Sequence, residues 1–415
     1  MKVYLESLGC KLNQCEREAL AKQFVEAGHL VVGTPQAADI CIVNTCAVTR
    51  AAAGKSRRRF HALKRANPVA RLVATGCYAT LDGEALDVDL EVNNDLKDDL
   101  VALVEARVEE WGILPDSSSG CERVPVSRTR PMVKIQDGCD NACAYCIVCI
   151  LRGKQRSRPR EAIVQEVADL VQQGYHEVVL TGVHVGAYGR DTDDNLVDLV
   201  RAILEFTPPE RLRLSSIEPW DLTPDFFALW QDPRLCTHLH LPLQSGCDNT
   251  LSRMNRHYTT GQYADLVAQA RASIPDLALT TDLIAGFPGE SEQAFVETAA
   301  FIERMAFARA HVFVYSARPG TPAAEMPDQV PLVVRRQRAL ALREIAQRSG
   351  EAFRRGFLGR TMPVLWEVRQ RNGRWSGLTD NYIRVYADSD RDLANTVHDV
   401  VLEDLDADGI RGRLL

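Results

Sequence analysis

The chain has 415 residues, of which 46% are hydrophobic and 25% are charged. This is the composition of a globular protein with an ample core, and it excludes the collagenous, disordered and membrane-spanning classes. Lysine and arginine number 49 against 56 acidic residues, which gives a net charge of −7. Any surface for nucleic acid must therefore be local. The length favours two or three domains.

Twelve cysteines occur in the chain, and several of them are grouped. They are too sparse for a disulfide scaffold, and the first thirty residues carry acidic and basic groups throughout rather than a signal-peptide pattern. We therefore expect a cytoplasmic protein with no membrane partner. Grouped thiols in that reducing compartment usually indicate metal or redox chemistry.

The first hundred residues alternate between predicted strands and helices. Apolar strands are predicted at 3–5, 40–43 and 71–74, and helical periodicity covers 16–26 and 51–66. Strands that are separated by helices usually form a parallel sheet. Residues 1–113 are therefore predicted to form a parallel α/β domain.

Residues 114–130 lack periodicity and are predicted to be a linker. A second α/β series follows, and a long basic helix is predicted at 333–353. Six strand–helix repeats predict a partial parallel barrel over residues 131–355. Its strands are predicted at 132–135, 177–180, 211–214, 238–241, 277–283 and 311–314.

The last sixty residues change character again. Short strands are predicted at 361–368, 374–377, 382–387 and 396–402, with polar turns between them. Residues 356–415 are therefore predicted to form a small all-β barrel.

Cys139, Cys143 and Cys146 lie within eight residues. The C-x3-C-x2-C spacing lets one loop wrap three thiolates around an iron–sulfur cluster. A [4Fe–4S] cluster held in this way keeps one iron without a protein ligand, and an open position is typical of a catalytic metal. The alternatives are a zinc loop or buried free thiols, and the nearby Cys149 leaves a different set of ligands open.

With Tyr145 before its third cysteine, this motif resembles the cluster loop of the radical S-adenosylmethionine (SAM) superfamily. The resemblance implies a [4Fe–4S] cluster whose open iron chelates the amino and carboxylate groups of SAM. It also implies one-electron reduction of SAM to a 5′-deoxyadenosyl radical, with flavodoxin or ferredoxin as an expected electron donor.

Cys10, Cys46 and Cys77 each follow one of the three strands predicted in the first domain. In a parallel sheet these strand ends emerge at one edge, which is where open α/β folds bind ligands. Three thiolates that converge there could hold a second cluster with an open iron. A single cysteine in such a position is more often a small buried apolar residue, as we expect for Cys41 and Cys236.

The segments at 9–13, 44–49 and 75–79 read Gly-Cys-Lys-Leu-Asn, Asn-Thr-Cys-Ala-Val-Thr and Thr-Gly-Cys-Tyr-Ala. They resemble the auxiliary-cluster segments of the methylthiotransferases, a branch of the radical SAM enzymes, and the final β domain resembles a TRAM module, an RNA-binding barrel. The resemblance covers nearly the whole chain. It implies two [4Fe–4S] clusters, SAM, and a reaction that converts a C–H bond into C–S–CH3.

Segments 9–13, 180–189 and 378–382 are most similar to the branch that acts on N6-threonylcarbamoyladenosine at position 37 of tRNA. The branch that acts on isopentenyladenosine typically has Gln-Asn where this chain has Val183-His184. The branch that acts on a ribosomal-protein aspartate shares Ser-Leu-Gly-Cys, so both remain alternatives. A non-enzymatic iron–sulfur protein that binds RNA or transfers electrons is a further alternative, and the glycine-rich loop and the cysteine spacing argue against it.

Four residues at predicted strand ends are candidates for binding SAM, in addition to Tyr145. The glycines of the Gly-Phe-Pro-Gly loop at 286–289 permit close approach of the backbone to a ligand, and by resemblance this loop lies along the adenine. Gly182 corresponds to the segment that binds the SAM amino group, Glu218 could accept hydrogen bonds from the ribose, and Gln244 could contact the carboxylate or ribose. Each could instead be a polar cap. The four candidates are Gly182, Glu218, Gln244 and Gly286.

Two basic runs flank the cysteine segments. A charge run is usually a solvated face, but these runs stand beside both cysteine sets in an acidic chain, so contact with the phosphates of a tRNA anticodon stem-loop is expected. Residues 356–415 carry eight arginines against ten acidic residues, so an RNA role for that domain rests on the resemblance alone. The candidates for RNA contact are Lys55, Arg57, Arg58, Arg152, Arg156 and Arg158.

Overall fold

The computed structural model describes residues 1–81, 86–113 and 128–415, so residues 114–127 of the predicted linker lie outside the described residues. The chain divides into two units. The amino-terminal unit consists of Met1–Arg128, Asp137–Gln155 and Ser316–Ala324. The barrel unit consists of Thr129–Gln136, Arg156–Tyr315 and Glu325–Leu415. The predicted domain limits stay predictions, and the loop with Cys139, Cys143 and Cys146 belongs to the amino-terminal unit.

The described part of the amino-terminal unit is built on a parallel sheet with the strand order β2-β1-β3-β4-β5. The strands are β1 (Lys2–Ser7), β2 (Leu30–Val31), β3 (Ile40–Thr45), β4 (Arg71–Gly76) and β5 (Leu90–Val92). The helices are α1 (Lys11–Glu26), α2 (Arg50–Ala66), α3 (Leu100–Glu105) and α4 (Val148–Arg152).

Both faces of this sheet are covered by helices. Ile40 and Ile42 of β3 pack with Phe24 of α1, whereas Val43 packs on the other side with Phe60 of α2. A strand that is buried on both faces needs a continuous apolar run rather than an alternating one, which is why the run at 40–43 predicted it. The three predicted strands are confirmed, and β2 and β5, which are too short to show a pattern, were missed.

All residues of the barrel unit are described, and six of its strands form two parallel three-stranded sheets, β10-β9-β6 and β11-β12-β13. Isolated parallel bridges join the two sheets, from Leu212 to Leu235 and from Ser216 to His240. The predicted partial barrel of six strands is therefore confirmed. The six strands are β6 (Met132–Lys134), β9 (Glu177–Thr181), β10 (Arg211–Leu214), β11 (His238–His240), β12 (Ala278–Ala285) and β13 (Arg309–Val314). Two further short strands, β7 (Gln136–Asp137) and β8 (Arg156–Ser157), pair with each other.

The helices that follow these strands provide the outer layer of the parallel sheets. Their apolar faces pack on the strands, as Tyr263 and Phe301 do in the shared core. None of the helices in the described part of the chain has both the length and the apolar character needed to cross a bilayer. These helices are α5 (Arg160–Gln172), α6 (Leu196–Phe206), α7 (Pro224–Phe227), α8 (Asp248–Arg253), α9 (Thr260–Ser273), α10 (Glu292–Met305) and α12 (Leu332–Arg355). The short helix α11 (Pro322–Glu325) begins in the amino-terminal unit.

The chain ends in a closed barrel with the strand order β14-β15-β16-β18-β17. The predicted all-β domain is confirmed, but it has a fifth strand that was missed. In that strand Ile410 and Gly412 are buried, and they alternate with the exposed Arg411 and Arg413. A glycine therefore occupies a buried position at which the alternating pattern predicts an apolar side chain. The strands are β14 (Thr361–Arg369), β15 (Trp375–Leu378), β16 (Arg384–Ala387), β17 (Val397–Asp406) and β18 (Gly409–Leu414).

A buried ion cluster joins this closed barrel to the amino ends of β9 and β10. Glu177 Oε1 accepts from Arg213 Nε at 2.6 Å, and Arg213 Nη1 donates to the carbonyl of Asp380 at 2.7 Å. Burial by itself raises the pKa of Glu177, but Arg213, Arg130 and Arg211 together lower it to about 2. Glu177 is thus charged in the folded protein at every pH above that value.

Replacing Glu177→Gln should destabilise the fold by about 3–5 kcal/mol at pH 7, because buried arginines lose their counter-charge. The pKa of Glu177 falls from 4.5 to about 2 on folding, so its stabilising effect is complete above pH 4.5 and is lost as the pH falls towards 2. Urea unfolding between pH 7 and pH 3 should show the difference from the parent shrinking below pH 4.5. A difference that stays constant with pH would contradict this assignment. Glu210→Gln, at an exposed carboxylate, is the control and should change little.

Candidate functional site

The structure brings Cys10, Cys46 and Cys77 together at one edge of the amino-terminal sheet. Cys10 follows β1 and is the N-cap of α1, Cys46 follows β3, and Cys77 follows β4. These three strands are neighbours and run parallel, so their carboxyl ends lie side by side. The pKa of the Cys46 thiol is raised to about 11, chiefly by burial and to a smaller extent by the charged forms of Cys77 and Cys10. We refer to these three residues as the strand-end cysteines.

Two buried polar side chains hold the strand-end cysteines in place. The Asn13 amide nitrogen donates to the carbonyls of Leu8 and Thr45, at 2.8 Å each, just before Cys10 and Cys46. The Thr45 hydroxyl donates to the carbonyl of Thr75 at 2.6 Å, and the amide of Cys77 donates to the carbonyl of Thr45 at 3.1 Å. All three cysteine segments are therefore linked by hydrogen bonds from side chains that are fully buried.

Glycine is required immediately before two of the strand-end cysteines. Gly9 has φ +98°, and a Cβ there would lie 2.6 Å from Cys46 Sγ. Gly76 has φ +89°, and a Cβ there would lie 2.2 Å from Asn44 Oδ1. Both the left-handed backbone and the close approach exclude a side chain at these positions.

Helix α2 supports the site on one face and carries basic residues on the other. The buried Ser56 hydroxyl donates to the carbonyl of Cys46 at 3.1 Å and accepts from its amide at 3.3 Å. Lys55, Arg57 and Arg58 are exposed. Arg57 also donates to the hydroxyl of Tyr78 at 3.0 Å, next to a strand-end cysteine. The three residues of this helix that are predicted to contact RNA are therefore exposed, and their contact with RNA stays a prediction.

Cys139, Cys143 and Cys146, which we call the loop cysteines, are also brought together. The amide of Cys139 donates to the carbonyl of Gly153 at 3.1 Å, and the amide of Cys146 donates to the carbonyl of Cys143 at 3.0 Å. The pKa of Cys146 is raised to about 12, chiefly by burial and to a smaller extent by the charged forms of Cys143, Cys149 and Cys139. Tyr145 is half-buried within the loop.

Both cysteine sets fit the ligand requirements of iron–sulfur clusters. In the described residues no three His, Cys, Asp or Glu side chains lie close enough to bind one metal ion. The thiolates of a [4Fe–4S] cluster bind different irons, so they stand farther apart than the ligands of a single ion. Each set supplies three thiols that interact electrostatically with one another. Each would therefore leave one iron of a [4Fe–4S] cluster without a protein ligand.

The prediction that Arg152 contacts RNA is wrong. Only 3% of its side chain is exposed, and its guanidinium donates to Glu16 Oε1 at 2.8 Å and to Asp137 Oδ1 at 2.9 Å. A basic run reads the same in the sequence whether its members are solvated or buried. Of the neighbouring arginines, Arg156 is exposed and Arg158 pairs with Glu166 at 2.7 Å.

In the barrel unit, the four SAM candidates follow the carboxyl ends of four strands. Gly182 follows β9, Glu218 follows β10, Gln244 follows β11 and Gly286 follows β12. Chemistry in parallel barrels is carried out at this end of the strands. The turn at Gly182 is fixed by Gln136, whose side-chain oxygen accepts from the amides of residues 183 and 184 at 3.1 and 2.9 Å.

Glu218 is held by an arginine that sequence reasoning missed. The Arg256 side chain is fully buried and donates to Glu218 Oε2, to the carbonyl of Pro242 at 3.0 Å, and lies 4.7 Å from the centre of the Trp220 ring. Its only sequence signal is a basic residue between two helices, which is a common surface pattern. Arg256 orients the Glu218 carboxylate, so it acts on any ligand through that group.

Gln244 and Gly286 both have left-handed backbone conformations, with φ of +67° and +75°. For Gln244 this conformation is uncommon, and it is imposed by two backbone hydrogen bonds, to Asp282 at 2.8 Å and from Ile284 at 2.9 Å. Backbone strain of this kind is concentrated at ligand sites. The amide of Gly286 donates to the buried Glu290, at 3.1 Å.

Comparisons with known proteins agree with this arrangement. The Radical SAM superfamily matches residues 133–302, and the Uncharacterized protein family UPF0004 matches residues 2–95. Threonylcarbamoyladenosine tRNA methylthiotransferase MtaB from Thermotoga maritima is 36% identical over 92% of this chain and 90% of that protein. The MtaB from Chlamydia pneumoniae is 40% identical over 88% of this chain and 86% of that protein.

The chain belongs to the radical SAM tRNA methylthiotransferase family. It is therefore an enzyme that uses SAM and [4Fe–4S] clusters, as the sequence predicted. Within the family, tRNA-2-methylthio-N(6)-dimethylallyladenosine synthase from Syntrophotalea carbinolica is 34% identical over 95% of both chains. The solved structure of the methyltransferase TsrM from Kitasatospora setae shares the fold, with a TM-score of 0.58, 15% identity, and coverage of 78% of this chain and 75% of that one.

Replacing Gly9→Ala in the methylthiotransferase should prevent iron from binding at the strand-end cysteines, because the new Cβ would lie 2.6 Å from Cys46 Sγ. Iron and acid-labile sulfide per chain, measured after anaerobic reconstitution, should fall by about half if each cysteine set binds one cluster. Gly28→Ala is the matched control, since Gly28 has φ +83° but nothing within 4 Å of the added Cβ. It should lose only about 1–2 kcal/mol of stability and no iron. Equal iron contents in the two variants would contradict the assignment.

Proposed function

We propose that this enzyme transfers a methylthio group to C2 of N6-threonylcarbamoyladenosine at position 37 of tRNA, in the cytoplasm. The product is 2-methylthio-N6-threonylcarbamoyladenosine. The observation that carries the proposal is the pair of three-cysteine sets, each brought together by the fold, in a chain that is 36% identical to an MtaB over 92% of its length. We expect the anticodon stem-loop of tRNA as the partner and flavodoxin or ferredoxin as the electron donor, and the sulfur source stays open.

The loop cysteines are proposed to hold one [4Fe–4S] cluster and the strand-end cysteines the other. When bound, the clusters and SAM supply one-electron reduction, the methyl group, sulfur coordination and the radical that activates C2. The protein contributes fixed ligand positions, because Asn13, Thr45 and Ser56 tie the cysteine segments to one another and to α2. A preorganised ligand set does not have to be ordered when the cluster binds.

Tyr145, Gly182, Glu218, Gln244 and Gly286 are proposed to bind SAM. Arg256 donates to Glu218 Oε2, and this leaves Oε1 to accept a hydrogen bond from a ribose hydroxyl. The left-handed backbone at 244 and 286 would let the main chain approach the ligand closely. For Gly182, Glu218, Gln244 and Gly286 the proposal rests on their positions after the ends of four barrel strands. For Tyr145 it rests on the resemblance of the cysteine loop to that of the radical SAM superfamily.

The exposed basic residues are proposed to bind the tRNA backbone. Lys55, Arg57 and Arg58 lie on the exposed face of α2, whose opposite face holds Cys46 through Ser56. Arg156 is exposed in the barrel unit and Arg158 is partly neutralised by Glu166, so Arg156 is the stronger candidate of the two. Phosphate contacts of this kind supply affinity without reading sequence.

Mass spectrometry of tRNA nucleosides from cells with and without the gene tests the substrate. Cells without the gene should lose 2-methylthio-N6-threonylcarbamoyladenosine and accumulate the unthiolated nucleoside, and the plasmid-borne gene should restore it. Loss of the dimethylallyl counterpart would keep the chemistry and assign the enzyme to the branch of the 34% identical synthases. An unchanged tRNA profile would contradict the proposal and direct the search to a ribosomal-protein aspartate.

Alanine substitutions should separate the two cysteine sets. Replacing any loop cysteine should abolish formation of 5′-deoxyadenosine from SAM under strong reductant, because the SAM-binding iron is lost. Replacing any strand-end cysteine should leave that cleavage intact but abolish the methylthio product. Chromatographic assays of both products from purified, reconstituted enzyme provide the measurement.

Cys41→Ala and Cys236→Ala are the controls, since both cysteines are buried core residues outside the two sets. They should keep both activities. A non-enzymatic role requires that no 5′-deoxyadenosine form in the parent enzyme, and thiolation by all six cysteine variants would overturn the cluster assignment.

A further inference from the structure

The position of the Arg152 guanidinium is fixed by three buried or half-buried side chains. Nη1 donates to Glu16 Oε1 at 2.8 Å and to Asp137 Oδ1 at 2.9 Å, and Nη2 donates to Asn13 Oδ1 at 2.8 Å. Lys97 is buried beside it and donates to Glu16 Oε2 at 2.7 Å. Two cations and two carboxylates therefore form one hydrogen-bonded network, as buried charges require.

This network reaches the strand-end cysteines through Asn13. The Asn13 side-chain oxygen that accepts from Arg152 also lies 3.6 Å from Cys10 Sγ, and its nitrogen holds the carbonyls of Leu8 and Thr45. Because the amide nitrogen is committed to these two carbonyls, its oxygen must face Arg152. Arg152 thus fixes the rotamer of the residue that positions two of the three cysteine segments.

Arg152 also acts on the strand-end cysteines through its charge. Asn13 Oδ1 lies 2.8 Å from Arg152 Nη2 and 3.6 Å from Cys10 Sγ, so one side-chain atom lies between the guanidinium and the Cys10 thiol. Without Arg152, this network of Glu16, Asp137 and Lys97 beside the thiols would lose one positive charge.

We propose that Arg152 is a positioning residue of the strand-end cysteine site, which fixes Asn13 and raises the reduction potential of the cluster bound there. The inference rests on the proposed function, which assigns a [4Fe–4S] cluster to these cysteines. Net charge, hydrogen bonding and exclusion of solvent set the potential of such a cluster, and a buried charge acts strongly because the surroundings screen it weakly. A positive charge nearby favours the reduced, more negative cluster.

The network also fixes the loop that carries the other cysteine set. Asp137 precedes Cys139 by two residues, and Arg152 ends α4, which begins two residues after Cys146. The hydrogen bonds between Arg152 and Asp137 therefore close this loop at its base. A test of the strand-end site must accordingly be made in a protein in which the loop cysteines bind no cluster.

The test uses the full chain with all three loop cysteines replaced by alanine, reconstituted with iron and sulfide, so that only the strand-end cluster is present. Potentiometric titration followed by electron paramagnetic resonance measures the ratio of reduced to oxidised cluster. With Arg152→Met this ratio at a fixed potential should fall at least tenfold, a shift of about 59 mV for one electron. Arg71→Met is the matched control, because Arg71 pairs with Asp89 at 2.9 Å at the opposite end of β4 from Cys77, and it should leave the ratio unchanged.

Arg152→Lys keeps the charge and loses the forked geometry, so its ratio should stay closer to the parent than that of Arg152→Met. An unchanged potential in a cluster-loaded Arg152→Met protein would overturn the inference. If Arg152→Met binds no iron, retention of the cluster by Arg152→Lys would support the requirement for charge, and loss in both variants would overturn it. A parent chain that binds no cluster at the strand-end cysteines would overturn the proposed function itself, and this inference with it.

Discussion

The hydrogen bonds of the Asn13 side chain are the constraint on which the amino-terminal site depends. Its nitrogen donates to carbonyls at the ends of two strands, and its oxygen accepts from Arg152, so both ends of the amide are committed. A buried amide with all its partners in place is stable, whereas any rotation would leave buried polar groups unpaired. The protein itself therefore holds the strand-end cysteines in one arrangement.

Buried arginines organise both units of the chain in a similar way. Arg152 is balanced by Glu16 and Asp137 in one unit, and Arg213 is balanced by Glu177 in the other. Each arginine also donates to a group on a segment far away in the sequence. Ion pairs of this kind are costly to break because one charge would be left without a partner in a poorly screened interior. They fix which segments meet, while apolar burial supplies most of the stability.

The parts of this structure that were predictable are those with local patterns. The apolar run at 40–43 predicted β3, and the positions of the strand-end cysteines after three successive strands predicted that they would meet. β18 was missed because Gly412 occupies a buried position at which an alternating strand normally carries an apolar side chain. Arg152 was assigned to the surface because its partner Glu16 lies 136 residues away in the sequence. Local sequence patterns do not predict an ion pair between residues that are so far apart. Asn13 and Arg256 were overlooked for the same reason.

The ion cluster at the amino ends of β9 and β10 bears on how the closed barrel can be exchanged. Arg211 donates to the carbonyls of Leu378 and Pro363 at 3.1 and 2.8 Å, and Arg213 donates to that of Asp380. Grafting a different domain in place of residues 356–415 would remove these three carbonyl acceptors from the two guanidinium groups. A chimaera of two family members therefore has to keep the 378–382 turn together with β10, so that the arginines of β10 retain their carbonyl acceptors.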